Sequence, residues 1–283
     1  MRRTHGVWIL ALILLEGWAR RARWGHLPPA PGDRIRGEVV SAPQGAPTLL
    51  VLGDSIPWGY GLPDPRLAWP VRVGEELAAR GTPWRVVDVS IPGETSLQGW
   101  ARWRRDVLPW RPDRVLVAFG LNDCHLQRTA WDVWRWAHLP RGWGRYSRLL
   151  HAFRVWRLPP PRPAPPRCLP RLTPEQTGEV LERLVREADR AGVEMGLLTP
   201  TPGGAHFHPE WPDAVRAYQM DVCERTRDVI RRVARAHRVP LIDVARALDP
   251  VEDAWLQPDG IHLTAEGHAR VADVVINQIT SDE

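Results

Sequence analysis

Five residues scattered along the chain have the types and the order that acyl transfer through a serine requires: Ser55, Gly93, Asn122, Asp259 and His262. Such chemistry needs a nucleophile, a base to take its proton, a carboxylate to orient the base, and donors for the developing oxyanion. Ser55, at the end of Gly53-Asp54-Ser55, offers the hydroxyl. Asp259 stands three residues before His262, so its carboxylate can turn back onto the imidazole Nδ1–H, fix the tautomer and leave Nε2 for Ser55. Gly260 gives that turn its freedom. Gly93 can bring a backbone N–H close to a ligand because no side chain obstructs the approach, and Asn122 can aim its amide at the same oxygen. The backbone N–H of Ser55 is a third donor. Taken singly, each has a plainer reading: Gly-Asp-Ser, Asn122-Asp123 and Asp259-Gly260 are ordinary turn chemistry, and His262 could cap a helix.

Elements of one kind must carry them to a common place. Thr48 to Leu52, Trp84 to Val89, Arg114 to Phe119, Val193 to Leu198 and Val239 to Val244 are runs of branched apolar residues, each predicting a buried strand. Between them lie helical patterns over 66–80, 96–107, 173–191 and 213–237, and another over 264–279 closes the chain. Thr173-Pro174-Glu175 reads as a cap followed by proline in the first turn. Five strands alternating with helices specify a doubly wound parallel sheet, in which ligands bind at the carboxyl ends of the strands. Ser55, Gly93 and Asn122 follow the first, second and third strands, so all three fall on one edge.

Residues 124–172 break the alternation. They carry Trp131, Trp134, Trp136 and Trp143, an amphipathic piece over 146–158, and a proline run over 159–170 that reads as an extended strap. Ordinary connections in such folds have about 2 to 6 residues, so this excursion is expected to fold over the reactive edge as a lid. Trp131, Trp134 and Trp136 either contact substrate or pack the insertion onto the domain.

In this order, GDSI at 53–56, the glycine of SIPGET at 90–95, GLND at 120–123 and DGIH at 259–262 resemble the four blocks of the SGNH (GDSL) hydrolases, over residues 48–279. The resemblance implies a flavodoxin-like three-layer α/β/α sandwich on a five-stranded parallel sheet, with Ser55 as nucleophile, His262 as base, Asp259 as its partner, and Gly93 and Asn122 with Ser55 in the oxyanion hole. It also implies ester or thioester hydrolysis without a metal or organic cofactor. Asp88 stands where relatives often carry asparagine, and the insertion is longer and richer in proline and tryptophan than in small lysophospholipase-like members. Pro57 rules out the Gly-x-Ser-x-Gly elbow of ordinary α/β-hydrolases.

Charge argues against a nucleic-acid partner despite a sequence pI near 9.8. Residues 1–36 hold seven arginines against two acids, which accounts for the whole net charge of +5 and leaves the rest of the chain balanced. Met1-Arg2-Arg3 before the apolar run 6–15 resembles an export signal, with Gly17-Trp18-Ala19 as a cleavage site, yet Arg20, Arg21 and Arg23 follow directly. Residues 1–23 are therefore read as a signal peptide, a short membrane anchor or a membrane-surface segment, with a cytoplasmic tail as the alternative. Residues 24–46, rich in proline, glycine and alanine, read as a tether to a domain over 47–283. Cys124, Cys168 and Cys223 are odd in number and widely spaced, so they suggest neither a disulfide framework nor zinc ligation, and His206 and His208 read as a surface pair. The expected reaction is hydrolysis of small-molecule, glycan O-acetyl or lysolipid esters. Acyl transfer on the same site is the first alternative, and a non-catalytic, membrane-tethered glycan- or lipid-binding protein is the second.

Overall fold

The computed structural model describes residues 35–127, 129–138, 168–203 and 211–281. Its strands are β1 Gly37–Val40, β2 Thr48–Gly53, β3 Arg85–Asp88, β4 Arg114–Ala118, β5 Leu126–Gln127, β6 Leu169–Pro170, β7 Glu194–Leu198 and β8 Leu241–Ile242. The helices are α1 Ser55–Trp58, α2 Trp69–Ala79, α3 Ser96–Ala101, α4 Ala130–His138, α5 Pro174–Ala191, α6 Asp213–His237, α7 Val244–Ala247 and α8 Ala265–Ser281. Six strands form the main sheet in the order β1-β3-β2-β4-β7-β8, and β5 and β6 make a separate antiparallel pair.

Five of the six strands are the expected parallel ones, and the sense of winding reverses at β2, between β3 and β4. Such a switch point opens a crevice beyond the strand ends. The sheet has one strand more than expected: Gly37–Val40, within the stretch read as tether, runs antiparallel along β3. Glycine and proline around so short a segment concealed it, and its pairing comes from a neighbour 47 residues on, Glu38 lying beside Val87 and its carboxylate holding Arg85 at 2.7 Å.

Side chains of β2 alternate between two cores, as the strand period requires. Leu49 and Val51 face Trp69, Val73 and Leu77 of α2 and Val271, Val275 and Ile276 of α8. Leu50 and Leu52 face Val180, Leu181 and Leu184 of α5 and Val229, Ile230 and Val233 of α6. Burying branched residues on both faces, at about 25 cal/mol per Å² of apolar surface, stabilises the three-layer arrangement. α5 begins as its sequence predicts, with Thr173 and Gln176 forming reciprocal cap bonds and Pro174 in the first turn.

Three elements depart from their predicted lengths. The helix expected over 66–80 starts at Trp69, because Pro65–Leu67 forms a separate 3-10 turn and Pro70 occupies a first-turn position. The one expected over 96–107 stops at Ala101 and widens into a π turn over Trp103–Val107, where buried Arg102 pairs with Glu94 at 2.7 Å. The last strand covers only Leu241–Ile242, since Asp243 turns its carboxylate to cap α7.

Asp88, at the carboxyl end of β3, is fully buried. Burial pushes its carboxyl up to about 6, and hydrogen bonding from Ser90 with the charges of Arg36 and Arg102 offsets only part of that. A carboxyl whose folded pKa lies above its ordinary 3.8 adds stability that is full below 3.8 and lost as pH rises through about 6. Asp88→Asn is therefore expected to raise stability by about 1–3 kcal/mol at pH 8 and by nothing below pH 4. Denaturant titrations of both proteins at the two pH values check this, and an equal difference at both would remove the titration as its cause.

Candidate active site

β2 delivers Ser55 to the switch point. Gly53 closes the strand where a Cβ would lie 2.5 Å from the Pro57 ring and 2.8 Å from the Ala118 carbonyl oxygen, so only glycine fits this crossing. Asp54 then caps α1, its Oδ1 accepting from the Ile56 N–H at 3.0 Å. Ser55 is the first residue of that helix and is 6% exposed.

The segment before α8 brings the other end of the chain across. Leu256 bridges Leu263, and the His262 carbonyl accepts from Gln257 N–H at 2.7 Å, closing a compact loop with Gly260 at φ 68°. Within it, Asp259 Oδ1 accepts from the backbone N–H groups of Ile261 and His262 at 2.9 and 3.0 Å, and Oδ2 meets His262 Nδ1 at 2.6 Å. His262 Nε2 lies 3.0 Å from Ser55 Oγ, although 207 residues separate them. Partial burial alone would raise the Asp259 carboxyl, but the bonds from the His262 side chain and the two backbone N–H groups outweigh it and hold the group at about 2. Asp259 is thus an anion at any working pH, and an anion at Nδ1 leaves Nε2 to accept a proton from Ser55.

Gly93 and Asn122 reach the same edge from β3 and β4. Gly93 has φ 74°, the left-handed conformation that favours glycine, in the turn after β3. Asn122 is held from both sides: its Nδ2 donates to Asp54 Oδ2 at 3.0 Å, and its Oδ1 accepts from Arg171 Nη1 at 2.8 Å. An arginine only donates and an ionised carboxylate only accepts, so the two neighbours fix which way the amide faces. One Nδ2–H is left over. Burial raises Asp54 to about 6 and nearby Asp123 adds to the rise, while the Ile56 N–H and Asn122 oppose it. Asp123, fully buried, accepts from Ser96 N–H at 2.8 Å and from the Thr177 hydroxyl at 3.2 Å, tying the turn to α3 and α5.

Two contributors were not found in the sequence. Arg171, 8% exposed, returns from the insertion; its guanidinium lies 5.0 Å from the Trp136 ring centroid and also bonds the Gly93 carbonyl at 3.4 Å. No motif marks an arginine in a proline-rich strap. Tyr60 lies beside the His262 ring, centroids 4.7 Å apart, and its carbonyl is held by Gln257 Nε2 at 2.8 Å.

Of the tryptophans singled out, Trp136 reaches the site through Arg171. Trp134 is 44% exposed on α4. The side chain of Trp131, Trp143, the piece 146–158 and most of the proline strap lie outside the described residues, as do residues 1–34 and the pair His206 and His208. The neck of the insertion is described: β5 pairs with β6, and Arg171 N–H bonds the His125 carbonyl at 3.2 Å. Among the described residues no group of three or more His, Cys, Asp or Glu could hold a metal ion, and no helix is long and apolar enough to cross a membrane. A cavity of about 550 Å³ opens at the opposite end of the sheet, between Arg114, Glu194 and Arg238, and contains none of the residues above.

Comparison with known proteins gives a consistent result. The profile of the GDSL-like Lipase/Acylhydrolase family matches residues 51–270. Thioesterase 1/protease 1/lysophospholipase L1 of Escherichia coli (strain K12) is 24% identical over 234 residues, 83% of this chain and 84% of its own. Diglucosylglycerate octanoyltransferase of Mycolicibacterium hassiacum is 30% identical over 249 residues, 82% of this chain and 95% of its own. Among solved structures, the lipase/acylhydrolase from Enterococcus faecalis superposes with a TM-score of 0.59 at 24% identity, covering 83% of this chain and 96% of that one, and so shares its fold.

Proposed function

Because the chain belongs to the GDSL-like lipase/acylhydrolase family and is a carboxylic ester hydrolase, we propose that it cleaves acyl esters through an acyl-enzyme on Ser55. The observation that carries this reading is the continuous line of contacts from Ser55 Oγ to His262 Nε2 at 3.0 Å and from His262 Nδ1 to Asp259 at 2.6 Å. Ser55 Oγ attacks the ester carbonyl as its proton passes to Nε2. The negative charge arising on the carbonyl oxygen is met by the N–H groups of Ser55 and Gly93 and by the remaining Nδ2–H of Asn122. Imidazolium, stabilised by the Asp259 anion, then returns the proton to the leaving alkoxide and the acyl group stays on Ser55. Water, deprotonated by Nε2, releases the acid and restores the serine. Short-chain, glycan O-acetyl and lysolipid esters all present the same carbonyl to this arrangement.

A specific observation also favours a second reading, in which a sugar hydroxyl replaces water. The relative named diglucosylglycerate octanoyltransferase matches over 95% of its own length. Hydrolysis and transfer share every step up to the acyl-enzyme and part only in what attacks it. The test is a panel of aryl, acetyl-sugar, lysophospholipid and acyl-thioester substrates, run with and without a glucosyl acceptor. Expected is release of acid, with a mass increment of one acyl group trapped on Ser55. Turnover with the label on another residue would overturn the reading, and acylated sugar in place of free acid would select transfer.

A further inference from the structure

Cys124 and Cys223 are 99 residues apart in sequence, yet their sulfurs lie 2.6 Å from one another. Both are buried, in a small apolar cluster with Leu126, Val215 and Val222. We propose that Cys124 and Cys223 form a disulfide that fastens the turn carrying Asn122 to α6.

The surroundings are built for this contact. Gln219 and Cys223 are four residues apart on α6 and so share one face of the helix. Fully buried Gln219 accepts from Leu126 N–H at 2.8 Å, donates to the Cys124 carbonyl at 2.7 Å and reaches Cys223 Sγ at 3.2 Å. Cys124 N–H bonds the Gly120 carbonyl at 3.0 Å, and its Sγ lies 3.3 Å from the Leu121 carbonyl. The Cys124 backbone is thus clamped on both sides, with its sulfur aimed at α6. Burial pushes the Cys124 thiol up, whereas hydrogen bonds from Cys124 and Gln219 pull the Cys223 thiol down, which makes Cys223 the readier thiolate.

Oxidation requires an acceptor, and a disulfide of the glutathione or dithiol-oxidoreductase class supplies it. The Cys223 thiolate attacks the acceptor disulfide and expels one acceptor thiolate, giving a mixed disulfide. The Cys124 thiolate then attacks the Cys223 sulfur of that mixed disulfide and expels the second. The pair loses two protons and two electrons, and the acceptor leaves as two thiols. Because both sulfurs are sealed by the fold, exchange occurs as the chain folds, and the bond then resists reductant until the protein opens.

The pairing does not depend on the proposed chemistry. The full chain is refolded in a glutathione redox buffer, quenched in acid, alkylated with iodoacetamide in denaturant and mapped by mass spectrometry before and after reduction. Expected is a cross-linked Cys124–Cys223 peptide two hydrogens lighter than its separate parts. Alkylation of both Cys124 and Cys223 without reduction, or a cross-link through Cys168, would overturn the proposal. Closing so long a loop is expected to place the Tm of the oxidised protein roughly 5–15 °C above that of Cys223→Ala. Protein reduced in denaturant and refolded with reductant present should lose most of that gap; a gap unchanged by that reduction would reduce the pair to packing and overturn the proposal too.

Discussion

Ser55→Ala is expected to lower kcat on any ester the protein turns over by roughly 10⁴-fold or more while leaving its melting temperature within a few degrees. Losing the hydroxyl removes the atom that attacks and the atom that would hold the acyl group, so no part of the two-step route survives. The fold loses little, since the hydroxyl's hydrogen bond is to His262, whereas the Ser55 backbone still closes α1 by accepting from Tyr60 N–H at 3.0 Å. Residual catalysis would come from the oxyanion donors alone. Full activity in the folded variant would mean that the nucleophile lies elsewhere.

Asn122→Ala should lower kcat by roughly 10²–10³, with KM changed far less, because a donor aimed at the oxyanion strengthens as charge develops there. The same change deprives the Asp54 carboxylate of the amide that helps keep it ionised. The Asp54 carboxyl should accordingly titrate above about 6 in the variant, read from its own carboxyl NMR signal, a shift that a mere loss of packing would not produce. Arg171→Met, which retains the bulk beside Trp136 and leaves the Asn122 amide in place while releasing its oxygen and the Gly93 carbonyl, should be milder, at about tenfold in kcat. Equal losses in the two variants would show that Asn122 acts by holding the loop and not by donating to substrate.

Much of this site could be read from local sequence, and the reason is physical. Ser55, Gly93 and Asn122 each follow a buried strand within a few residues, and Asp259 turns onto His262 within a single loop, so short blocks encode both the side chain and the backbone that presents it. What stayed hidden depends on residues that meet only after folding. Arg171 reaches Asn122 from 49 residues away, and Cys124 meets Cys223 across 99, which no spacing rule reports. Gly37–Val40 looked like tether because four residues with an edge position need no apolar pattern of their own. The early end of the helix at Ala101 follows from a buried pair, Arg102 with Glu94, that is invisible in the helical periodicity of 96–107.

That edge strand also sets a polarity. Gly37 pairs with Asp88, at the carboxyl end of β3, and Arg36 just before it lies 4.7 Å from the Trp58 ring centroid in the helix that Ser55 opens. Running antiparallel, the strand makes the chain enter the domain at its reactive rim and not at the far pole. Residues 24–35 can span at most about 40 Å. Anything fastened to the chain ahead of residue 24 would therefore be held within that reach of the mouth of the site, which would raise its local concentration there.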